Sequence, residues 1–228
     1  VLQERKFWGR GAYGRSNPLR PVLVAATLMI GAWATLSTPV LAKTTRIVAL
    51  GDSLTAGLGL PADQAFPVVL QKALRQNGFD VEIVNGGVSG DTSAGLLARL
   101  DWTLGDGADA AIVEIGANDM LRGFDPTGTK KNIDDILAQL RERKIPFLIA
   151  GMRSAPNLGG AYAAQFEPIY QQLAAKYGAP LYPFFLEGIA GVPSNQLPDG
   201  LHPSKAGVEH IVAGILPLTE TWLKKLAP

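Results

Sequence analysis

The chain has no cysteine, so disulfides, thiol nucleophiles and thiolate metal sites are excluded at the outset. Histidine is almost as scarce. His202 and His210 are the only two, which leaves little material for a histidine-rich metal centre. Charge is sparse as well, at 18% of residues against 47% hydrophobic, a balance that fills a core and argues against disorder. Internal repeats and linkers are missing, and long apolar runs are absent but for one, "VLVAATLMIGAWATL" at 22–36.

That run has the surroundings of an export signal. Arg5, Lys6, Arg10, Arg15 and Arg20 precede it, and "STPVLA" follows, with Val40 and Ala42 at the small positions before a cut. The expectation is a signal peptide over residues 1–42 and one domain over 43–228, exported to the periplasm or beyond. The alternative is an uncleaved anchor, because Val22 to Ala42 has about the ~20 residues that a bilayer requires. No adjacent arginine pair occurs there, which disfavours the twin-arginine route, and the lack of cysteine excludes a lipoprotein anchor. Residues 43–228 carry 16 basic and 19 acidic residues, a net of −3, so no nucleic-acid footprint is present. Membrane contact is expected only through the signal, an anchor or a lipid substrate.

From Thr45 onward, short apolar runs alternate with amphipathic stretches. "RIVALG" (46–51), "VEIVNGG" (81–87), "DAAIVEIG" (109–116) and "IPFLIAG" (145–151) end in glycine and fit strands buried on both faces of a parallel sheet. "APLYPF" (179–184) is a weaker fifth. Helical stripes lie between them: Phe66, Val69, Leu70 and Leu74; Ile133, Ile136, Leu137 and Leu140; and Phe166, Ile169, Tyr170, Leu173 and Tyr177, the last kinked or started by Pro168. A final helix is predicted from Pro203 toward Leu226, bent at Pro217. The alternation implies right-handed βαβ units and an α/β three-layer sandwich.

Ligands of an open parallel sheet bind outside the carboxyl ends of the strands, and the polar turns fall there. "GDSLTAG" follows the first strand, "NGGVSGDTS" the second and "GANDM" the third, while "DGLHPS" stands near the end of the chain. Acyl transfer needs a hydroxyl, a base to take its proton and a group to orient the base. Ser53 is the hydroxyl. His202 is the candidate base, with Asp199 three residues earlier able to fold back onto Nδ1. His210, mid-helix beside Glu209, reads as a solvated helix residue. The negative oxygen needs donors: the Ser53 backbone amide, Gly90 with no side chain in the way, and the Asn118 amide. Each block also has a plain reading as a helix cap, loop or turn; their order and placement on one rim favour chemistry.

The blocks "GDSL" (51–54), "SGDT" (89–92), "GAND" (116–119) and "DGLH" (199–202) resemble those of the SGNH hydrolases, the GDSL esterase family, in particular its exported bacterial arylesterase and thioesterase–lysophospholipase group. The resemblance spans about residues 45–225. It implies a flavodoxin-like α/β/α sandwich on a parallel five-stranded sheet, no metal and no cofactor. Position by position it implies Ser53 as nucleophile, His202 and Asp199 as base and orienter, and Ser53, Gly90 and Asn118 as oxyanion donors. Ala117 departs from the glycine that many relatives have there. Segment 151–166 resembles the loop that lines the acyl site in relatives. Leu58, Leu60, Met120, Leu121, Phe124, Pro156 and Leu158 are accordingly expected along an apolar acyl groove, or packed beneath loops. The expected activity is hydrolysis of short- to medium-chain acyl esters or thioesters through an acyl-serine. An acyltransferase using the same serine, and a non-catalytic envelope carbohydrate-binding module, are the alternatives.

Overall fold

The protein is described from a computed structural model covering residues 43–226; the expected signal segment, 1–42, lies outside the described residues. Five strands form one sheet: β1 (Thr45–Gly51), β2 (Val81–Gly87), β3 (Ala110–Glu114), β4 (Phe147–Ala150) and β5 (Leu181–Tyr182). Their order is β2-β1-β3-β4-β5 and every pairing is parallel. This is the flavodoxin-like winding, whose direction reverses between β1 and β3. β3 and β4 are buried along their whole length, as strands covered on both faces must be, and for that reason they read as apolar runs without alternation.

The connections are α1 (Ser53–Ala56), α2 (Phe66–Gln76), α3 (Ser93–Leu104), α4 (Ala117–Leu121), α5 (Pro126–Glu142), α6 (Gly159–Phe166) and α7 (Pro168–Tyr177), with α8 (Lys205–Leu226) closing the chain. α2 packs on α8, and α3 on α5. Right-handed crossovers send the helices before and after the reversal to opposite faces, which gives the three layers. Leu70 and Leu74 of α2 and Ile133, Ile136, Leu137 and Leu140 of α5 are buried at their helical spacing. Phe66 meets Phe185 edge to face, with ring centres 4.9 Å apart. Cutting any of these leucines back to alanine is expected to cost about 2–5 kcal/mol.

Several elements differ from their sequence outlines. β5 is two residues rather than six, because Pro180 and Pro183 bracket it and lack the N–H that would extend the ladder. The Phe166–Tyr177 stripe is two helices, and Pro168 opens the second. α8 begins at Lys205 rather than Pro203. Pro203 instead bridges Gln196, the Leu197 amide donates to the His202 carbonyl at 2.8 Å, and Ser204 Oγ accepts the Gly207 amide as the cap. The histidine loop is thus held by a small β-like clasp ahead of the helix. No helix among the described residues is long and apolar enough to cross a membrane.

Candidate active site

The switch point places the turn after β1 beside the turn after β3. β1 ends at Gly51, and Asp52 caps α1 by accepting the Leu54 amide at 2.9 Å. Ser53 is therefore the first residue of a helix, where a backbone amide has no helical acceptor. The plain capping role and a chemical one coexist in three residues.

Ser53 Oγ lies 2.8 Å from His202 Nε2, across 149 positions of sequence. On the other side of the ring, His202 Nδ1 lies 2.7 Å from Asp199 Oδ2. Asp199 Oδ1 accepts the amides of Leu201 and His202 at 2.9 and 3.0 Å. An ionised carboxylate only accepts, so Nδ1 carries the hydrogen and Nε2 is left to accept from the serine. The three donors from His202 and Leu201, the His202 amide foremost, pull Asp199 down to about 2.

Gly90, in the turn after β2, and Asn118, in the first turn of α4, line one cavity of about 250 Å³ with Ser53 and His202. Gly90 has φ +84°, a conformation that glycine adopts freely and other residues rarely. A side chain there would meet nothing closer than Arg122 Nη2 at 4.0 Å. The backbone conformation by itself already favours glycine here. Arg122 Nη2 donates to the Gly90 carbonyl at 2.9 Å. Thr92, two residues on, caps α3 through the Gly95 amide. Asn118 Nδ2 donates to the Asp91 carbonyl at 2.9 Å and to Asp52 Oδ2 at a longer 3.2 Å. Its neighbour Asp119 accepts the Ser93 amide at 2.8 Å and the Ser93 hydroxyl at 2.5 Å, tying the second and third blocks together.

Asp52 is fully buried beneath this group. Burial pushes it up to about 6, against the pull of the Leu54 amide, the Asn118 amide and the His202 imidazole.

The apolar part of the cavity differs from its sequence outline. Leu58, Met120 and Leu121 line it. Phe124, Pro156 and Leu158 do not: Phe124 is an exposed residue whose carbonyl accepts the Tyr162 hydroxyl, Pro156 is exposed, and Leu158 packs against the core. Leu60 likewise packs on the core. Leu54, Ala117, Met152, Leu186 and Leu201 complete the lining; Met152 lies in the expected segment 151–166 and Leu54, Ala117 and Leu201 in the motif blocks, while Leu186 comes from a segment the sequence did not indicate. Met120 is fixed there by the Ala155 amide, which donates to its sulfur at 3.3 Å. His210 is exposed on α8, beside Gly188 and outside the cavity lining.

Such a group can transfer a hydroxyl proton to an imidazole while amide donors face a developing negative oxygen. The family model of the GDSL-like lipase/acylhydrolases matches residues 49–210. The chain is 38% identical over 172 residues to esterase TesA of Pseudomonas aeruginosa, covering 75% of this chain and 86% of that one. It is 36% identical over 160 residues to thioesterase 1/protease 1/lysophospholipase L1 of Escherichia coli K12, at 70% and 76% coverage. The crystal structure of AlinE4, an SGNH-hydrolase family esterase, superposes with a TM-score of 0.67 at 43% identity, over 82% of this chain and 98% of that one.

Proposed function

The chain belongs to the GDSL-like lipase/acylhydrolase family and is a serine ester hydrolase, and from that premise we propose how it works. Ser53 is the nucleophile. Its Oγ attacks the acyl carbonyl carbon as His202 Nε2 takes the proton, and Asp199 holds the imidazole in the required tautomer and offsets its new charge. The carbonyl oxygen, now negative, is held by the amides of Ser53 and Gly90 and by Asn118 Nδ2. One Asn118 hydrogen is committed to Asp91 at 2.9 Å; the one that Asp52 holds at 3.2 Å is the weaker bond, available to the substrate. His202 returns its proton to the departing alcohol or thiol, and water then repeats the sequence on the acyl-serine. The observation that carries this reading is the 2.8 Å contact between Ser53 Oγ and His202 Nε2.

The substrates are short- to medium-chain acyl esters and thioesters. The relatives' names, an esterase and a thioesterase–lysophospholipase, support that class, as does a cavity of about 250 Å³ walled by leucine and methionine. The export pattern within residues 1–42 supports action outside the cytoplasm. The test is a panel of p-nitrophenyl esters and acyl thioesters of increasing chain length on residues 43–228, beside Ser53→Ala. Turnover that peaks at short to medium chains and vanishes in the variant is expected. Undiminished turnover in Ser53→Ala would overturn the assignment, and ester products formed with added alcohols would make the enzyme a transferase.

A further inference from the structure

Beneath the serine turn lies a carboxyl group that this chemistry leaves unused. Glu114 ends β3, the strand between β1 and β4, and has no exposed surface. Its Oε2 accepts the Thr55 hydroxyl at 2.8 Å. Its Oε1 is buried with no hydrogen-bond partner. Among the described residues, no cationic side chain forms an ion pair with it. The titratable groups facing it are Asp52, from the turn after β1, and Tyr170 of α7, whose hydroxyl donates to the Ile115 carbonyl at 3.0 Å. Asp119 of α4 and His202 act on Asp52 from further out.

A buried carboxylate without a cation and with an empty oxygen is costly; the neutral acid tolerates both. Two neighbouring buried carboxyls do not both ionise, and the donors decide which keeps the proton. Asp52 has the Leu54 amide on one oxygen, the Asn118 amide on the other and an imidazole nearby. Glu114 has an orphaned oxygen.

We propose that Glu114 remains protonated throughout the working pH range and is a positioning residue, an uncharged prop for Thr55 and the start of α1 that leaves Asp52 the sole anion of the pair. A second anion in that place would oppose the negative oxygen formed above it. Burial, and then the charge of Asp52, push Glu114 well above the ordinary carboxylate range, in keeping with this. So does Gly51, where a Cβ would sit 2.1 Å from Thr55 Oγ1 and 2.7 Å from the Glu114 carbonyl; only glycine leaves room for the hydroxyl to reach the acid.

The test compares wild type with Glu114→Gln, which retains an acceptor for Thr55 and cannot ionise, and with Glu114→Ala. A folded-state pKa raised above the unfolded value makes the wild type lose stability as pH rises from about 4.5, because the folded state then holds the extra proton; the glutamine variant lacks that slope. The Tm difference, variant minus wild type, should climb by several degrees between pH 5 and pH 8, with kcat within about threefold of wild type. Glu114→Ala should lose about 10- to 100-fold in kcat with KM changed less than about threefold. A Tm difference that is flat or falls with pH, or a glutamine variant as impaired as the alanine one, would overturn the proposal. Should the alanine variant not fold, the glutamine pH series decides alone. The kinetic arm rests on the reading of Ser53 above and the thermal arm does not, so activity surviving in Ser53→Ala would end that reading while leaving the Tm series to judge this one.

Discussion

Two aspartates flank the Ser53–His202 pair, one in the turn after β1 and one in the loop before α8, and their surroundings are opposite. Asp52 has no exposed surface, and burial lifts it to about 6. The Asp199 side chain is 44% exposed, and three hydrogen bonds from His202 and Leu201 draw it down to about 2. The same functional group is pushed one way by lost water and the other way by donors. The turn that carries the Ser53 hydroxyl is dry and braced by buried carboxyls, whereas the loop that carries the His202 imidazole is wet and braced by its own backbone. Geometry is thus kept by packing on one side and by local hydrogen bonds on the other.

This contrast yields tests, taken from the largest effect down. Ser53→Ala and His202→Ala should each remove on the order of 10⁶ of turnover on p-nitrophenyl butyrate, because they act as one unit; a much smaller loss in either would break the link between the two sides. Asp199→Asn should cost about 10³–10⁴ in kcat, since an amide cannot hold the same imidazole tautomer. Its Tm near pH 7 should fall by only a degree or two, as befits an exposed group, and circular dichroism melting checks this. Asn118→Ala should lose about 10²–10³ in kcat with little change in KM. Asp52→Asn sharpens the comparison through pH. The folded pKa of about 6 exceeds the unfolded value of 3.8, so the wild type loses stability as pH climbs through that window. The Tm of the asparagine variant should therefore gain on the wild type between pH 4 and pH 6. Asp199 has the reverse sign: its stabilisation is complete above pH 3.8 and fades toward pH 2, so Asp199→Asn should flatten that acid limb by a degree or two. Equal pH slopes in the two variants would erase the distinction.

Much of this site is legible in the chain itself, for identifiable reasons. Ser53 and Asn118 follow apolar runs directly, and a parallel sheet delivers such positions to one rim. Asp199 and His202 are three residues apart, so their contact is local. The clasp around Pro203 is less accessible, because the proline ring fixes φ alike in a helix start and in a β-bridge, and ψ is set by the tertiary fold. The acyl lining is the least legible part: Met152, Leu186 and Leu201 come from separate loops, while Phe124 and Pro156, equally apolar in sequence, turn to solvent. Glu114 did leave a trace. It is a lone acid within the buried run "AAIVEIG", and a single carboxyl in an otherwise apolar central strand requires a partner or a proton.

The distance along the chain between Ser53 and His202 also orders events in time. A ribosome that has made the first four strands has produced a hydroxyl and its amide donors but no base, and the clasp and α8 are still to come. The Ser53 hydroxyl thus has no imidazole beside it until the segment after β5 is in place. Competence arrives with completion of the fold, as a seal arrives with the last turn of a lid.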